Sequence, residues 1–275
     1  MLTYRDFTTG FGKLDLDRSY PLIVHASLSA FGEVNGGADI ILGALLASFD
    51  TLVMPVFTYK TMIIPELGPP DNAITYGSGK DTNRLADIFS PDMPADPMMG
   101  ALAEAVRKHP RSQRSAHPIL SFAGIYARSI LDTQMTHDPL LPIQRLIDLE
   151  GWVLLMGVNH TVNTSIHYAE KLVGRKQFIR WALTESGVIS CWGFPGCSEG
   201  FNAVAPQLEA VKHSVQLGGA VLQAIPLLAL MDVACGMLHA DPLALLCERS
   251  DCPRCSAVRA GVAQALSEIP RSQKP

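Results

Sequence analysis

The sequence predicts an α/β fold in which helices cover a sheet. Two observations point to it. An apolar run at 21–25, a turn-rich loop at 27–37, a helically spaced segment at 38–49 and a second apolar run at 51–56 form a strand–helix–strand unit. Such a unit implies parallel strands with helices on their faces. In addition, 48% of the 275 residues are hydrophobic and 17% are charged, which supplies an ample core. The length fits one large domain, or one domain with a small appendage.

The remaining elements follow in order. Residues 57–97 are rich in Pro, Gly, Asp and Asn and weakly periodic. A loop of that length in a compact domain is typically a lid or a binding loop. Helical spacing returns at 99–108. Apolar runs at 119–125 and 152–158 read as strands, and 178–183 with 188–193 reads as a hairpin across Thr184-Glu185-Ser186-Gly187. Residues 200–212 read as a helix. The apolar stretch 221–238 is broken by Gln223, Pro226 and Asp232, so it reads as a core strand plus a core helix rather than a membrane span. A last helix is expected near 257–269, with a frayed end at 270–275.

A net charge of −4 argues against nucleic acid as the main partner. Met1-Leu2-Thr3-Tyr4-Arg5-Asp6 shows no basic region leading into an apolar stretch, so the expected compartment is the cytoplasm, with no membrane partner.

All six cysteines lie in the last third, at 191, 197, 235, 247, 252 and 255. In a reducing compartment clustered cysteines suggest metal before disulfides. Cys252-Pro253-Arg254-Cys255 is a Cys-x-x-Cys turn, with Cys247 five residues before it. This spacing suits tetrahedral zinc. Cys197, in a turn, is the expected fourth ligand; Cys191, His213 and His239 are the alternatives. Cys235 reads as a plain core residue. Four sulfurs would make the site structural, stapling a 240–275 extension to the main domain. Free thiols, or a Cys-x-x-Cys redox pair, are the competing readings.

The segment Met156-Gly157-Val158-Asn159-His160-Thr161-Val162-Asn163-Thr164-Ser165-Ile166-His167-Tyr168-Ala169-Glu170 carries the chemistry. It passes from a core strand through a polar turn into a helical pattern. Ligand crevices in open α/β sheets form at such strand ends. His167 and Glu170, three apart, share one face of the helix. The imidazole suits a general base near neutral pH; the other reading is a satisfied core histidine. Glu170 or Glu199 is the candidate orienting carboxylate. Asn163 or Thr164 is the candidate helix cap. Backbone N–H groups from Ser27 to Gly37, at a helix start, suit a phosphate or a developing oxyanion.

An ordered set of segments now coincides: His25-Ala26-Ser27-Leu28-Ser29-Ala30-Phe31-Gly32, Thr51-Leu52-Val53-Met54-Pro55, Pro97-Met98-Met99-Gly100-Ala101-Leu102-Ala103-Glu104, Arg114-Ser115-Ala116-His117-Pro118, Ser121-Phe122-Ala123 and Asn163-Thr164-Ser165-Ile166-His167-Tyr168-Ala169-Glu170. In this order and spacing the chain resembles the aminoglycoside 3-N-acetyltransferase family over roughly residues 15 to 240. The resemblance implies a three-layer α/β/α sandwich around a central mixed sheet, followed here by the cysteine-rich extension. It also implies acetyl-coenzyme A as cosubstrate and transfer to a small-molecule amine, with cationic aminoglycosides among the acceptors and antibiotic resistance as the outcome. It places the catalytic histidine at His167, beside Glu170 and Thr164. It puts Ser27, Leu28, Ser29, Phe31, Gly32, Met99, Arg114, Ser115, His117 and Ser121 along the coenzyme, with Arg111 and Arg114 facing its diphosphate. The alternative is a zinc-stapled protein of this fold that binds coenzyme A or another ligand without acting on aminoglycosides.

Overall fold

The structure, a computed structural model, describes residues 1–268. Its elements are α1 (Tyr4–Gly12), β1 (Leu22–Ala26), α2 (Gly37–Ser48), β2 (Leu52–Pro55), β3 (Met62–Ile63), α3 (Gly100–Lys108), β4 (Ser112–Arg114), β5 (Phe122–Ile125), α4 (Arg128–Leu131), α5 (Leu141–Asp148), β6 (Trp152–Met156), α6 (Ser165–Leu172), β7 (Phe178–Thr184), β8 (Gly187–Phe194), β9 (His213–Leu217), β10 (Ala220–Pro226), α7 (Leu227–Ala240) and α8 (Pro253–Glu268).

Strand β1 lies at the centre. It pairs in parallel with β2 on one side and β6 on the other, and the order across the sheet is β4-β5-β2-β1-β6-β10-β9. The outer pairs are antiparallel, so the strand–helix–strand unit builds the parallel centre of a mixed sheet. Alternation sorts the side chains. Leu22, Val24, Leu52, Met54, Leu154 and Met156 join Phe7 and Phe11 of α1, Leu45 of α2 and Val106 of α3 in one core. Ile23, Val53, Val153 and Leu155 join Ile143 of α5, Ile166 of α6 and Leu230 of α7 in the other. Three layers result, as the resemblance implies.

The sequence reading does not anticipate β3, β4, α4, α5 or β9, and two further departures have a visible local cause. Helix α1 is not anticipated there, although Thr3 and Asp6 form a reciprocal cap: the Thr3 N–H and hydroxyl donate to Asp6 Oδ2 at 2.8 and 2.7 Å. Residues Phe201–Leu208 form 3-10 turns, where an α-helix over 200–212 is expected. Pro206 inside this run has no N–H to give an α-helical ladder. The expected last helix is present as α8, but Ile269 and the 270–275 end lie outside the described residues.

Residues 57–97 are mostly irregular, yet they are pinned to a second sheet of order β3-β7-β8. Asn72 exchanges two hydrogen bonds with the Ile179 backbone, at 3.0 and 2.8 Å, and Phe89 N–H donates to Leu183 O at 2.9 Å. Among the described residues, no helix is long and apolar enough to cross a membrane.

Gly157 ends β6 with φ +67°, and a Cβ there would lie 2.6 Å from Ala30 Cβ. Both the left-handed backbone and the contact exclude a side chain. Gly157→Ala is expected to cost about 2–4 kcal/mol in urea unfolding. An unchanged midpoint would show that the two loops do not need this close approach.

Candidate active site

The chain leaves β6 through Gly157 and a 3-10 turn at His160–Val162, then enters α6. Asn159 Oδ1 accepts from Thr161 N–H at 3.0 Å, fixing the turn. Asn163 Oδ1 accepts from Ser165 N–H at 3.1 Å, so Asn163 supplies the cap and Thr164 makes no side-chain cap bond. Every residue from Ser165 to Glu170 is buried, and the helix packs against α7 and α5.

His167 and Glu170 meet as their spacing requires. The imidazole Nδ1–H donates to Glu170 Oε2 at 2.7 Å, and the two side chains are 9% and 6% exposed. The tautomer follows from the network: with Nδ1–H committed to the carboxylate, Nε2 is the nitrogen able to accept a proton. Phe201 packs edge-on against the ring at 4.7 Å between centroids. Glu199, the alternative carboxylate, is exposed and paired with Arg249 at 3.2 Å, so it does not orient this ring.

Arg175 is a residue the sequence reading missed. Gly174 is left-handed at φ +74°, its N–H donates to Lys171 O at 3.0 Å, and Arg175 N–H donates to Glu170 O at 2.9 Å. This helix-ending motif carries Arg175 back over Glu170. Its Nη1 donates to Glu170 Oε1 at 2.8 Å. The Gly directly after a helical run was the available signal.

Ser27, Ala30, Gly157, Val158 and Asn159 line an open cavity of about 560 Å³ at the ends of β1 and β6. His167 is not among its lining residues. Gly100 opens α3 close by, where a Cβ would stand 3.5 Å from Ala26 O. Beneath it, burial first and then the neighbouring His160 push the His25 imidazole down to about 3. Burial, with a smaller effect of Lys212, pushes His160 down to about 4.

The expected coenzyme residues divide. Ser27 and Ser29 hydroxyls pair at 3.1 Å on a 3-10 turn spanning Leu28–Phe31. Phe31 is buried against Phe7, and Gly32 follows at φ +74°. Met99 is half-buried and packs against both cores. The motif around Arg114 is built into the neighbouring backbone. Arg114 donates to Ser121 Oγ at 3.0 Å, Val56 O at 2.9 Å, Pro91 O at 3.1 Å and the Met93 carbonyl. Ser115 Oγ accepts from Phe122 N–H at 2.8 Å. His117 Nδ1 accepts from Ile119 and Leu120 N–H groups, and burial pushes it down to about 4. Ser121 Oγ donates to Val56 O at 3.0 Å. Arg114 and Ser121 thus hold the Val56, Pro91 and Met93 carbonyls, Ser115 and His117 brace the 119–122 backbone, and His117 Nε2 is buried without a hydrogen-bond partner. Arg111 lies against Tyr126 at the opposite end of the strands, in a cavity shared with Arg18 and Thr51.

Cys197, Cys247, Cys252 and Cys255 gather with their sulfurs all within 4.8 Å of one another. All four are buried in a cluster of their own. Burial pushes the Cys197 thiol up to about 11 and raises Cys255 as well. At Cys252 burial also acts upward, but hydrogen bonds from the Cys255 backbone and the neighbouring thiols outweigh it and lower the net value. The alternative ligands are elsewhere: His213 Nδ1 bonds Leu14 O at 2.6 Å, and His239 is exposed. Cys191, the remaining alternative ligand, is buried in β8 outside this cluster, its thiol pushed up to about 12 by burial.

Comparison with known proteins shows the family and the fold. The model of one family, aminoglycoside 3-N-acetyltransferase, matches residues 23–239. The SPbeta prophage-derived aminoglycoside N(3')-acetyltransferase-like protein YokD of Bacillus subtilis is 30% identical over 193 residues, 64% of this chain and 68% of that one. Alignments to several other aminoglycoside N(3)-acetyltransferases span between 51% and 79% of their lengths. Among solved structures, the aminoglycoside acetyltransferase AAC(3)-IVa apoenzyme superimposes with a TM-score of 0.76 at 24% identity, covering 94% of this chain and 96% of that one. AAC-IIIb, solved as a binary with CoASH, superimposes at 0.70 and 20% identity, covering 87% and 97%. The chain belongs to the aminoglycoside 3-N-acetyltransferase family, a family of acyltransferases.

The buried histidines give a pH signature. Unfolding exposes His25 and His160 to water, where they take protons below about pH 6.5, whereas the folded sites stay neutral to about 3 and 4. The stability they contribute is full above pH 6.5 and is lost as pH falls toward 4. Each contributes a slope of up to about 1.4 kcal/mol per pH unit. Denaturant melts at pH 7 and pH 5 should show a smaller loss in His160→Gln than in the parent chain; equal losses would contradict the assignment.

Proposed function

We propose that this member of the family moves an acetyl group from acetyl-coenzyme A to an amine of an aminoglycoside or related amino compound, with His167 as general base. The observation that carries the reading is the buried imidazole whose Nδ1 is fixed by Glu170 at 2.7 Å, in a chain matched by the family model. Acetyl-coenzyme A supplies the activated acyl group. His167 Nε2 accepts the proton as the amine becomes a nucleophile, and returns it to the departing thiol. Glu170 holds the ring in the accepting tautomer and stabilises the imidazolium. Thr164 stands one helical turn before the base and is the proposed donor to the thioester carbonyl.

The coenzyme side is supported by the cavity at Ser27 and by the CoASH-bound relative. The approach of the α3 N-terminus adds positive backbone dipole there. The acceptor side draws support from charge. Residues 57–97 hold six carboxylates and three cations, which is −3 of the chain's −4. A segment so biased suits a cationic amine. A gentamicin is bound in the solved relative AAC(3)-IVa, and sisomicin in AAC-VIa.

The four cysteines are read as a structural zinc site. Tetrahedral Zn–S bonds of about 2.3 Å place sulfurs about 3.8 Å apart, and the observed sulfurs fall near that spacing, with Cys247 and Cys255 at 3.4 Å. Zinc binding would displace the thiol protons of this buried cluster, so its affinity would fall as pH falls. Four protein ligands leave no open position, so the metal would cross-link the chain and take no part in transfer.

Purified protein with acetyl-coenzyme A and an aminoglycoside panel is expected to release free thiol. His167→Ala should lower kcat about 10²–10⁴-fold with the melt retained. No release with any amine, together with no thermal shift from coenzyme A, would overturn the activity. Undiminished transfer in His167→Ala would remove the base alone. Metal analysis should find one zinc per chain, and Cys252→Ser or chelation should lower the Tm; far less than one zinc would defeat that site.

A further inference from the structure

Glu170 is enclosed on both oxygens. Oε2 accepts from His167, and Oε1 accepts from Arg175 Nη1. The Arg175 side chain is 5% exposed, so the guanidinium is as buried as the carboxylate it serves. Its Nη2 donates to Pro242 O at 2.6 Å and Ala244 O at 2.7 Å. Those carbonyls belong to the segment between α7 and Cys247. The loop before Cys197 closes the other flank: a Cβ at Gly196 would lie 3.9 Å from Glu170 Oε2. Arg254 Nη1 donates to Gly196 O at 2.8 Å and ties that loop to α8.

We infer that Arg175 is a positioning residue for the transfer reaction, acting through Glu170 on His167, and that the cysteine-bearing extension anchors it. The inference rests on the reading of His167 as the base. Three buried groups in line leave Glu170 a single productive rotamer. A carboxylate free to turn would let the imidazole rotate or change tautomer, and Nε2 would lose its aim. Only a planar fork reaches the carboxylate and two carbonyls together, so lysine does not replace it. Arg175 touches neither substrate, so its loss acts on kcat and not on KM.

The test is a kinetic cycle with His167→Ala, Arg175→Ala and the double variant. Arg175→Ala is expected to lower kcat about 10–100-fold, with KM for acetyl-coenzyme A unchanged and partial recovery on adding guanidinium. In the His167→Ala background the same change should have no further effect, because its target is gone. Wild-type kcat in Arg175→Ala overturns the inference. So does a multiplicative loss in the double variant, which would mean an effect independent of the imidazole. If His167→Ala itself turns over normally, the base reading fails instead, and the two failures are told apart. Should Arg175→Ala not fold, Arg175→Lys carries the comparison: reduced kcat at wild-type KM supports the inference, and wild-type kcat rejects it.

Discussion

The buried line His167–Glu170–Arg175 constrains the rest of this molecule. A carboxylate and a guanidinium withdrawn from water each cost several kcal/mol, and pairing offsets this only when geometry is good and the remaining polar atoms find partners. Here both oxygens of Glu170 are taken, and Arg175 Nη2 donates to two carbonyls. The layers around it hold that geometry. Helix α6, entered from the end of β6, is buried from Ser165 to Glu170 against α7 and α5, and β6 itself is fixed by parallel pairing with β1.

The sequence revealed the centre of the fold better than its margins. Largely apolar strands such as Leu22–Ala26 and Trp152–Met156 stand out because both their faces are covered. Short amphipathic elements do not. Helix α1 is nine residues, and its cap pair Thr3 and Asp6 with Phe7 and Phe11 was legible but easily overlooked. Over 200–212 the apolar spacing outvoted Pro206, and the backbone followed the proline.

The site was legible where its partners are close in sequence. His167 and Glu170 are one turn apart, so spacing alone brings them together. Arg114 shows the opposite case. The carbonyls that take up its guanidinium lie at Val56, Pro91 and Met93, far along the chain. Nothing in a local pattern reveals that a cation is already satisfied by carbonyls from a distant loop. Arg175 fails to show itself for the same reason, since two of its acceptors lie 67 and 69 residues away.

The placement of the cysteines then acquires a reason. Beyond α7 the described chain is one helix and a short connection, from which the buried side chains of Leu245 and Val258 reach the main core. A tail that buries so little has small adhesion of its own. Yet Pro242 and Ala244 must stay put, because their carbonyls complete the Arg175 cage. Cys197 approaches from the end of β8, and Cys247, Cys252 and Cys255 from the tail, so one cluster ties the two sides of Glu170 together. Arg254 to Gly196 O and Arg259 to the Cys247 carbonyl reinforce the same junction. A zinc bound there, as proposed, would join segments roughly fifty residues apart and remove loop freedom that weak apolar contact could not. On the proposed readings of His167 as the base and of the cysteines as a zinc site, stability of the extension and orientation of the imidazole become one problem, met at the 242–247 turn.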